Sequence, residues 1–262
     1  MSFDAKQDII DRFNRNVKGV PIQLDDQKAR HCGKEGHWLE KQMGIAHNAS
    51  NEPDIHGYEM KKSSPKTTLG DFSASEYAFS QKGKRQTINA SNNWTDDIII
   101  KRDEFIKYFG NPNEKKDNRY SWSGSCIPTY NTWNKNGQIL LILDTNDIVI
   151  YYSYSHDERE VKETFPEYLH TDNVMIAIWK SEKLETHVNN KFNKNGFFIC
   201  KKNNLTYENI CFGKPFDFQY FLESVKGNRI IFDSGMYTGN NRNYSQFRAS
   251  KTFWEELIYE VY

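Results

Sequence analysis

No stretch of the 262-residue chain approaches the roughly 18 consecutive apolar residues that a membrane-spanning helix needs. The mean hydropathy is −0.83, so a helical membrane protein is excluded. Net charge is missing too. Lys and Arg total 35 and Asp and Glu total 35, which argues against a polybasic protein that binds through bulk positive charge. It leaves room for a local basic groove on a neutral body. Cysteine is scarce: the four residues at 32, 126, 200 and 211 form no CxxC pair, as expected of reduced thiols in a cytoplasmic protein. The first residues, MSFDAKQD, lack the apolar segment of a secretory leader, so sequons such as Asn93-Trp94-Thr95 read as by-products of an Asn-rich composition. No G-x-x-x-x-G-K-[ST] phosphate loop, G-x-S-x-G elbow, internal repeat or long Pro/Gly linker occurs.

Aromatic residues are abundant, with 6 Trp, 15 Tyr and 17 Phe. They are ample material for a core, and the length suits one large domain or two lobes sharing it. Ile9, Ile10 and Phe13 are spaced for an amphipathic helix over 5–15. Leu39 and Met43 lie one turn apart in a second helix near 36–45, with Gly44 as its stop. Residues 57–62 read as a strand, followed by the polar loop Ser63-Ser64-Pro65-Lys66 and a segment, 68–80, expected to pair back onto it. The stretch 81–136 reads as polar and irregular. Residues 138–154 form a hairpin turning at Thr145-Asn146. Strands at 174–179, 197–200 and 229–233 and helices at 182–192, 216–225 and 252–261 complete the pattern. Mixed strands and helices give an α/β or α+β class.

The chemistry concentrates in Pro53-Asp54-Ile55-His56-Gly57-Tyr58-Glu59-Met60-Lys61. Alternate residues of a strand share a face, so Glu59 and Lys61 project together, with Tyr58 and Met60 on the other side. Asp54, just before the strand, can turn back toward Glu59. Two carboxylates brought close repel unless a cation lies between them, and Mg²⁺ suits oxygen ligands of this kind. A lysine beside such a site stabilises developing negative charge, a set fitted to phosphodiester hydrolysis. The competing reading is a solvated strand carrying a salt bridge. Upstream, Glu40 lies at the edge of the Leu39/Met43 helix face; downstream come Thr67 and Thr68.

Helix glutamate, Pro-Asp, Glu-x-Lys and a Thr-Thr turn, in this order and spacing, resemble the MutH-like branch of the PD-(D/E)xK nucleases, which includes restriction endonucleases of the MvaI and BcnI type. The segment from Arg229 to Gly239, with Arg242 and Ser245-Gln246-Phe247-Arg248, is similar to the MvaI-type strand and loop that enter a DNA groove. The resemblance covers residues 30–80, the catalytic core segment, and 225–260. It implies a restriction-endonuclease-like core, a mixed central sheet flanked by helices, in a single two-lobed nuclease over 1–262 around a DNA cleft. It implies that Asp54 and Glu59 ligate Mg²⁺, that Lys61 sits beside the attacking water, and that Glu40 is a supporting acid. The substrate implied is double-stranded DNA, cut at a short site by a cytoplasmic, monomeric type II restriction endonuclease with a cognate DNA methyltransferase. A MutH-type repair nickase and a non-catalytic DNA-binding protein are the alternatives.

Residues 225–262 are the expected DNA-recognition segment. Arg242 and Arg248 have guanidinium forks that match guanine O6 and N7, and Tyr237 and Lys62 are further DNA contacts. Phosphate contacts are expected from Lys82, Lys84, Arg85, Lys101 and Arg102, although charge runs are more often solvated faces. The loop with Trp122, Ser123, Gly124, Ser125 and Tyr130 is a candidate minor-groove probe. Two other chemistries have residues of the right type: a Cys126 nucleophile, and a zinc site at His31, Cys32 and His37 that lacks a fourth ligand. His56 reads as a surface or supporting residue.

Overall fold

Strands and helices alternate along the chain in the computed structural model, which describes residues 3–23, 34–46, 52–79 and 100–262. Cys32, His31, Lys82, Lys84, Arg85 and the Asn93 sequon lie outside the described residues. In chain order the elements are α1 (Ala5–Asn16), α2 (Lys34–Gln42), β1 (Glu59–Lys62), β2 (Lys66–Asp71), β3 (Glu76–Tyr77), α3 (Arg102–Phe109), β4 (Asn111–Asn113), β5 (Arg119–Trp122), β6 (Asn136–Ile142), β7 (Ile148–Asp157), β8 (Val174–Trp179), α4 (Ser181–Phe192), β9 (Phe197–Asn203), β10 (Thr206–Gly213), α5 (Phe218–Lys226), β11 (Ile230–Asp233), β12 (Met236–Tyr237), β13 (Gln246–Ser250), α6 (Lys251–Glu256) and β14 (Ile258–Val261). None of the described helices is long and apolar enough to cross a membrane.

The chain divides into two units. The first comprises residues 1–67, 186–218 and 250–262. Its sheet has the order β1-β9-β10-β14. β1 runs parallel to β9, with Glu59 opposite Phe197 and Lys61 opposite Ile199, and the other pairs are antiparallel. One face of this sheet, carrying Tyr58, Met60, Phe198, Cys200 and Phe212, packs on Ile9, Ile10 and Phe13 of α1 and Leu39 of α2. These helix residues occur at the spacing of a single stripe, so burying the stripe against the sheet forms both helices and core together. Asp4 caps α1, accepting from the amides of Lys6 and Gln7.

The second unit comprises residues 68–185 and 219–249. It contains a four-stranded antiparallel sheet of order β3-β8-β7-β6 and smaller sheets β12-β5-β4 and β11-β13-β2. Its interior is aromatic. Trp122, Trp179, Tyr77, Phe79, Phe105 and Phe109 are fully buried, with edge-to-face pairs such as Phe105–Trp122 at 4.9 Å.

Three sequence expectations are corrected. The segment after the Ser63–Pro65 loop does not pair back onto β1. β2 joins β13, where Phe72 finds Phe247 at 6.3 Å, and β3 pairs with β8, so Thr67 and Thr68 are strand rather than turn residues. The stretch from 100 to 136 is not irregular; it supplies α3, β4 and β5. The final helix stops at Glu256, and 258–261 turns into strand β14 on the edge of β10, where its backbone groups find partners.

Candidate active site

The Pro-Asp/Glu-x-Lys segment folds as a tight turn followed by an edge strand. Ile55 and Tyr58 exchange backbone hydrogen bonds of 3.1 and 2.8 Å, and the two residues between them, His56 and Gly57, both have positive φ, 49° and 81°. That is the backbone of a type I′ turn. A Cβ on Gly57 would lie 2.8 Å from Asn195 Nδ2 and 2.9 Å from Lys194 Cδ. The turn reverses the chain so that Met60 N–H donates to Asp54 Oδ2 at 2.8 Å. His56 Nε2 donates to Asp8 Oδ2 at 2.9 Å, a supporting position.

The strand then places its alternate residues as the period of two requires. Tyr58 and Met60 enter the α1/α2 core. Glu59 and Lys61 project together, both buried, with Lys61 Nζ 2.7 Å from Glu59 Oε1. A third group, absent from the sequence reading, joins them: Lys191 of α4 is 3.0 Å from the same Oε1. Lys61 Nζ also lies 5.5 Å from the ring centre of Phe192. Glu59 Oε2 is buried without a hydrogen-bond partner. Burial pushes the Glu59 carboxyl above the ordinary range, although Lys61 and Lys191 pull it back. Burial pushes Lys61 below the usual lysine range, opposed by Glu59. A buried carboxylate with an oxygen left without a partner is costly, and a hard cation is the group that would satisfy it. Among the described residues no cluster of three or more His, Cys, Asp or Glu side chains is poised for a metal. The donor set is therefore two carboxylates, Asp54 and Glu59, to which water and backbone oxygen must be added. That composition fits Mg²⁺, which keeps several waters.

Glu40 pairs with His37 on its own helix at 3.5 Å. The helix acid drawn into a charged cluster is instead Glu35, which sequence reading missed. It accepts from Lys62 at 2.7 Å, from Lys202 and from Tyr207 Oη at 2.7 Å. Burial opposes ionisation of Glu35, but the lysine and tyrosine hydrogen bonds leave its carboxyl below the usual range. Lys62 is thus in a lysine-rich groove of about 370 Å³ lined also by Ser63, Ser64, Lys201 and Lys251. Its four lysines offset a glutamate that nothing in the helix pattern singles out.

The C-terminal candidates divide. Arg248 is engaged within its own sheet, 3.3 Å from Asp233 and donating to Gln246. Arg242 is exposed with its guanidinium 4.6 Å from the ring centre of Tyr244. Tyr237, in β12, is half-buried under the guanidinium of Arg119, 3.5 Å from its ring centre. Arg102, expected to meet phosphate, instead donates to Tyr237 O, Arg242 O and Asn243 Oδ1 at 2.8–3.2 Å. Lys101 stays exposed at the head of α3. Trp122 is not a groove probe; it is fully buried and donates to Gln138 Oε1 at 2.8 Å. Cys126 is no nucleophile, because burial pushes its thiol up to about 12, and it donates to Ser121 O and Ser123 O.

Comparison with known proteins extends the match beyond the motif segments. The family model described as LlaMI restriction endonuclease matches residues 17–262. The type II restriction enzyme ScrFI of Lactococcus lactis subsp. cremoris is 41% identical over 267 residues, covering 97% of each chain. Among solved structures, the complex of restriction endonuclease MvaI with its cognate DNA substrate aligns over 100% of this chain and 99% of its own, with TM-score 0.61 and 14% identity, a likeness of fold.

Proposed function

The chain belongs to the LlaMI restriction endonuclease family, and from that premise we propose that it hydrolyses phosphodiester bonds of double-stranded DNA at a short specific sequence, with Mg²⁺ held by Asp54 and Glu59. The observation that carries the site assignment is the orphaned, buried Glu59 Oε2 beside two ammonium groups on Oε1. Lys61 and Lys191 fix the carboxylate through one oxygen and leave the other for the cation. When bound, the cation neutralises charge on the scissile phosphate and acidifies a water for attack. Asp54 is held in register by the Met60 amide, so its second oxygen is oriented before substrate arrives. Lys61 is a lysine whose proton burial has loosened. Its Nζ is placed to stabilise charge developing on the phosphate oxygens and to exchange a proton with the attacking water. Glu40 completes the proposal as a supporting acid. Lys62 and the lysines around it, with Tyr237 and Arg242, are proposed DNA contacts, and Arg248 is proposed to brace β13 against β11 through Asp233.

The family favours this reading over a repair nickase or a non-catalytic DNA-binding protein. The protein is proposed to act as a cytoplasmic monomer protected by a cognate methyltransferase. The test is digestion of plasmid and phage DNA of known sequence with Mg²⁺, followed by sequencing of the ends. Discrete fragments with one shared end sequence are expected. Glu59→Ala and Lys61→Ala should each reduce the rate by about 10²-fold or more while duplex binding persists. Nicked circles without linear product would favour the nickase, and intact DNA under all conditions would end the proposal.

A further inference from the structure

We infer that Arg119 is a DNA-reading residue, a guanidinium held over the Tyr237 ring to meet an acceptor edge of duplex DNA, either guanine O6/N7 or a phosphate. The inference rests on the nuclease reading above and adds to it a residue that no sequence motif marks.

Three observations carry it. The first is geometry. β12 pairs with β5 so that Tyr237 lies opposite Ser121, and Arg119, two residues along β5, falls on the same face diagonally across the pair. Its guanidinium carbon is 3.5 Å from the centre of the tyrosine ring, a close cation–π contact that restricts the fork before any ligand binds. The second is the absence of an internal partner. Arg119 Nε is buried and unpaired, and its guanidinium has no carboxylate or carbonyl partner among the described residues. Three other half-buried arginines of this unit are taken: Arg102 by Asn243, Asp103 and the carbonyls of Tyr237 and Arg242, Arg159 by Asp157, Gly110 O and Tyr108 O, and Arg248 by Asp233 and Gln246. Leaving one cation half-buried without an acceptor costs free energy that a ligand's acceptors would recover.

The third is preorganisation around it. The loop that follows Tyr237 is pinned at both sides by α3. Arg102 binds the carbonyls of Tyr237 and Arg242, Asp103 accepts from Gly239 N at 3.0 Å, and Thr238 N donates to Tyr120 O at 3.0 Å. The platform under Arg119 is therefore rigid, as a recognition group needs. An arginine fork satisfies two adjacent acceptors at once, the pattern offered by a guanine major-groove edge or by two phosphate oxygens.

The experiment uses the full chain and duplexes carrying or lacking a site mapped from wild-type digestion. Binding is measured with Ca²⁺ in place of Mg²⁺ at several salt concentrations. Arg119→Met keeps the stem over Tyr237 and removes the donors; Arg119→Lys keeps the charge and removes the fork. Arg119→Met should weaken site binding by about 10-fold or more with an unchanged melting temperature. If guanine is the acceptor, the preference for site over non-site DNA falls and Arg119→Lys does not restore it. If phosphate is the acceptor, both duplexes weaken alike, the salt slope falls by roughly 0.9, and Arg119→Lys restores binding. Binding by Arg119→Met within about twofold of wild type on both duplexes would overturn the inference. So would a loss seen only alongside a lowered melting temperature, which would leave Arg119 as packing for Tyr237. Wild-type protein that cuts no DNA with Mg²⁺ would instead refute the nuclease reading, and that control is read first.

Discussion

A buried glutamate ionises only when its surroundings supply more than burial removes. Glu59 has two lysines on one oxygen, and still burial holds its carboxyl above the ordinary range. It must be deprotonated to hold a cation, so cation binding is present above its raised pKa and is lost as pH falls through it, sooner than for an exposed carboxylate near 4.5. Lys191→Ala removes one of the two lysines that lower that pKa. The midpoint of Mg²⁺ binding, followed by calorimetry between pH 5 and 9, should rise, with activity recovered at higher pH. An unmoved midpoint would make Lys191 a packing residue. The pattern Glu-x-Lys was legible because both residues sit on one strand face. Lys191 was not, because a lysine in the last turn of a surface helix has no distinguishing sequence signal.

At the scale of elements, the type I′ turn ties Asp54 to β1. Gly57→Ala places a Cβ at φ 81° and within 3 Å of Asn195 and Lys194, costing about 1–2 kcal/mol in strain. A fall of a few degrees in melting temperature is expected, with a larger proportional loss of plasmid cleavage because Asp54 leaves its hydrogen bond to Met60. Cleavage equal to wild type would separate the turn from catalysis. The strands at 174–179 and 230–233 and the helices α1, α4 and α5 could be read from periodicity, since each buries an apolar face of its own. The last residues could not. Leu257 and Ile258 continue an apolar pattern compatible with helix, but the open edge of β10 offers backbone partners that a helix would leave unused.

For the whole molecule, zero net charge does not mean a neutral substrate surface. Acids such as Glu35, Asp54 and Glu59 offset lysines gathered near them, among them Lys62, Lys201, Lys202 and Lys251. DNA affinity should therefore fall with salt at a slope near −0.9 per phosphate neutralised, giving a loss of about 10-fold or more between 50 and 200 mM salt in equilibrium titrations. A salt-insensitive affinity would contradict phosphate contacts on this body.

The sequence alone determined the mixed α/β or α+β class, the family resemblance and the strand that turns Glu59 and Lys61 to one side, because period and turn chemistry act over a few residues. Only the tertiary structure decided which groups those side chains meet. The parallel pairing of β1 with β9 belongs to the fold that sets Lys191 on Glu59, the packing of α2 near β9 sets Glu35 on Lys62 and Lys202, and the β5–β12 pair lays Arg119 on Tyr237. Such partners are distant along the chain, and long-range pairing is fixed by how faces bury against each other, which no local pattern encodes.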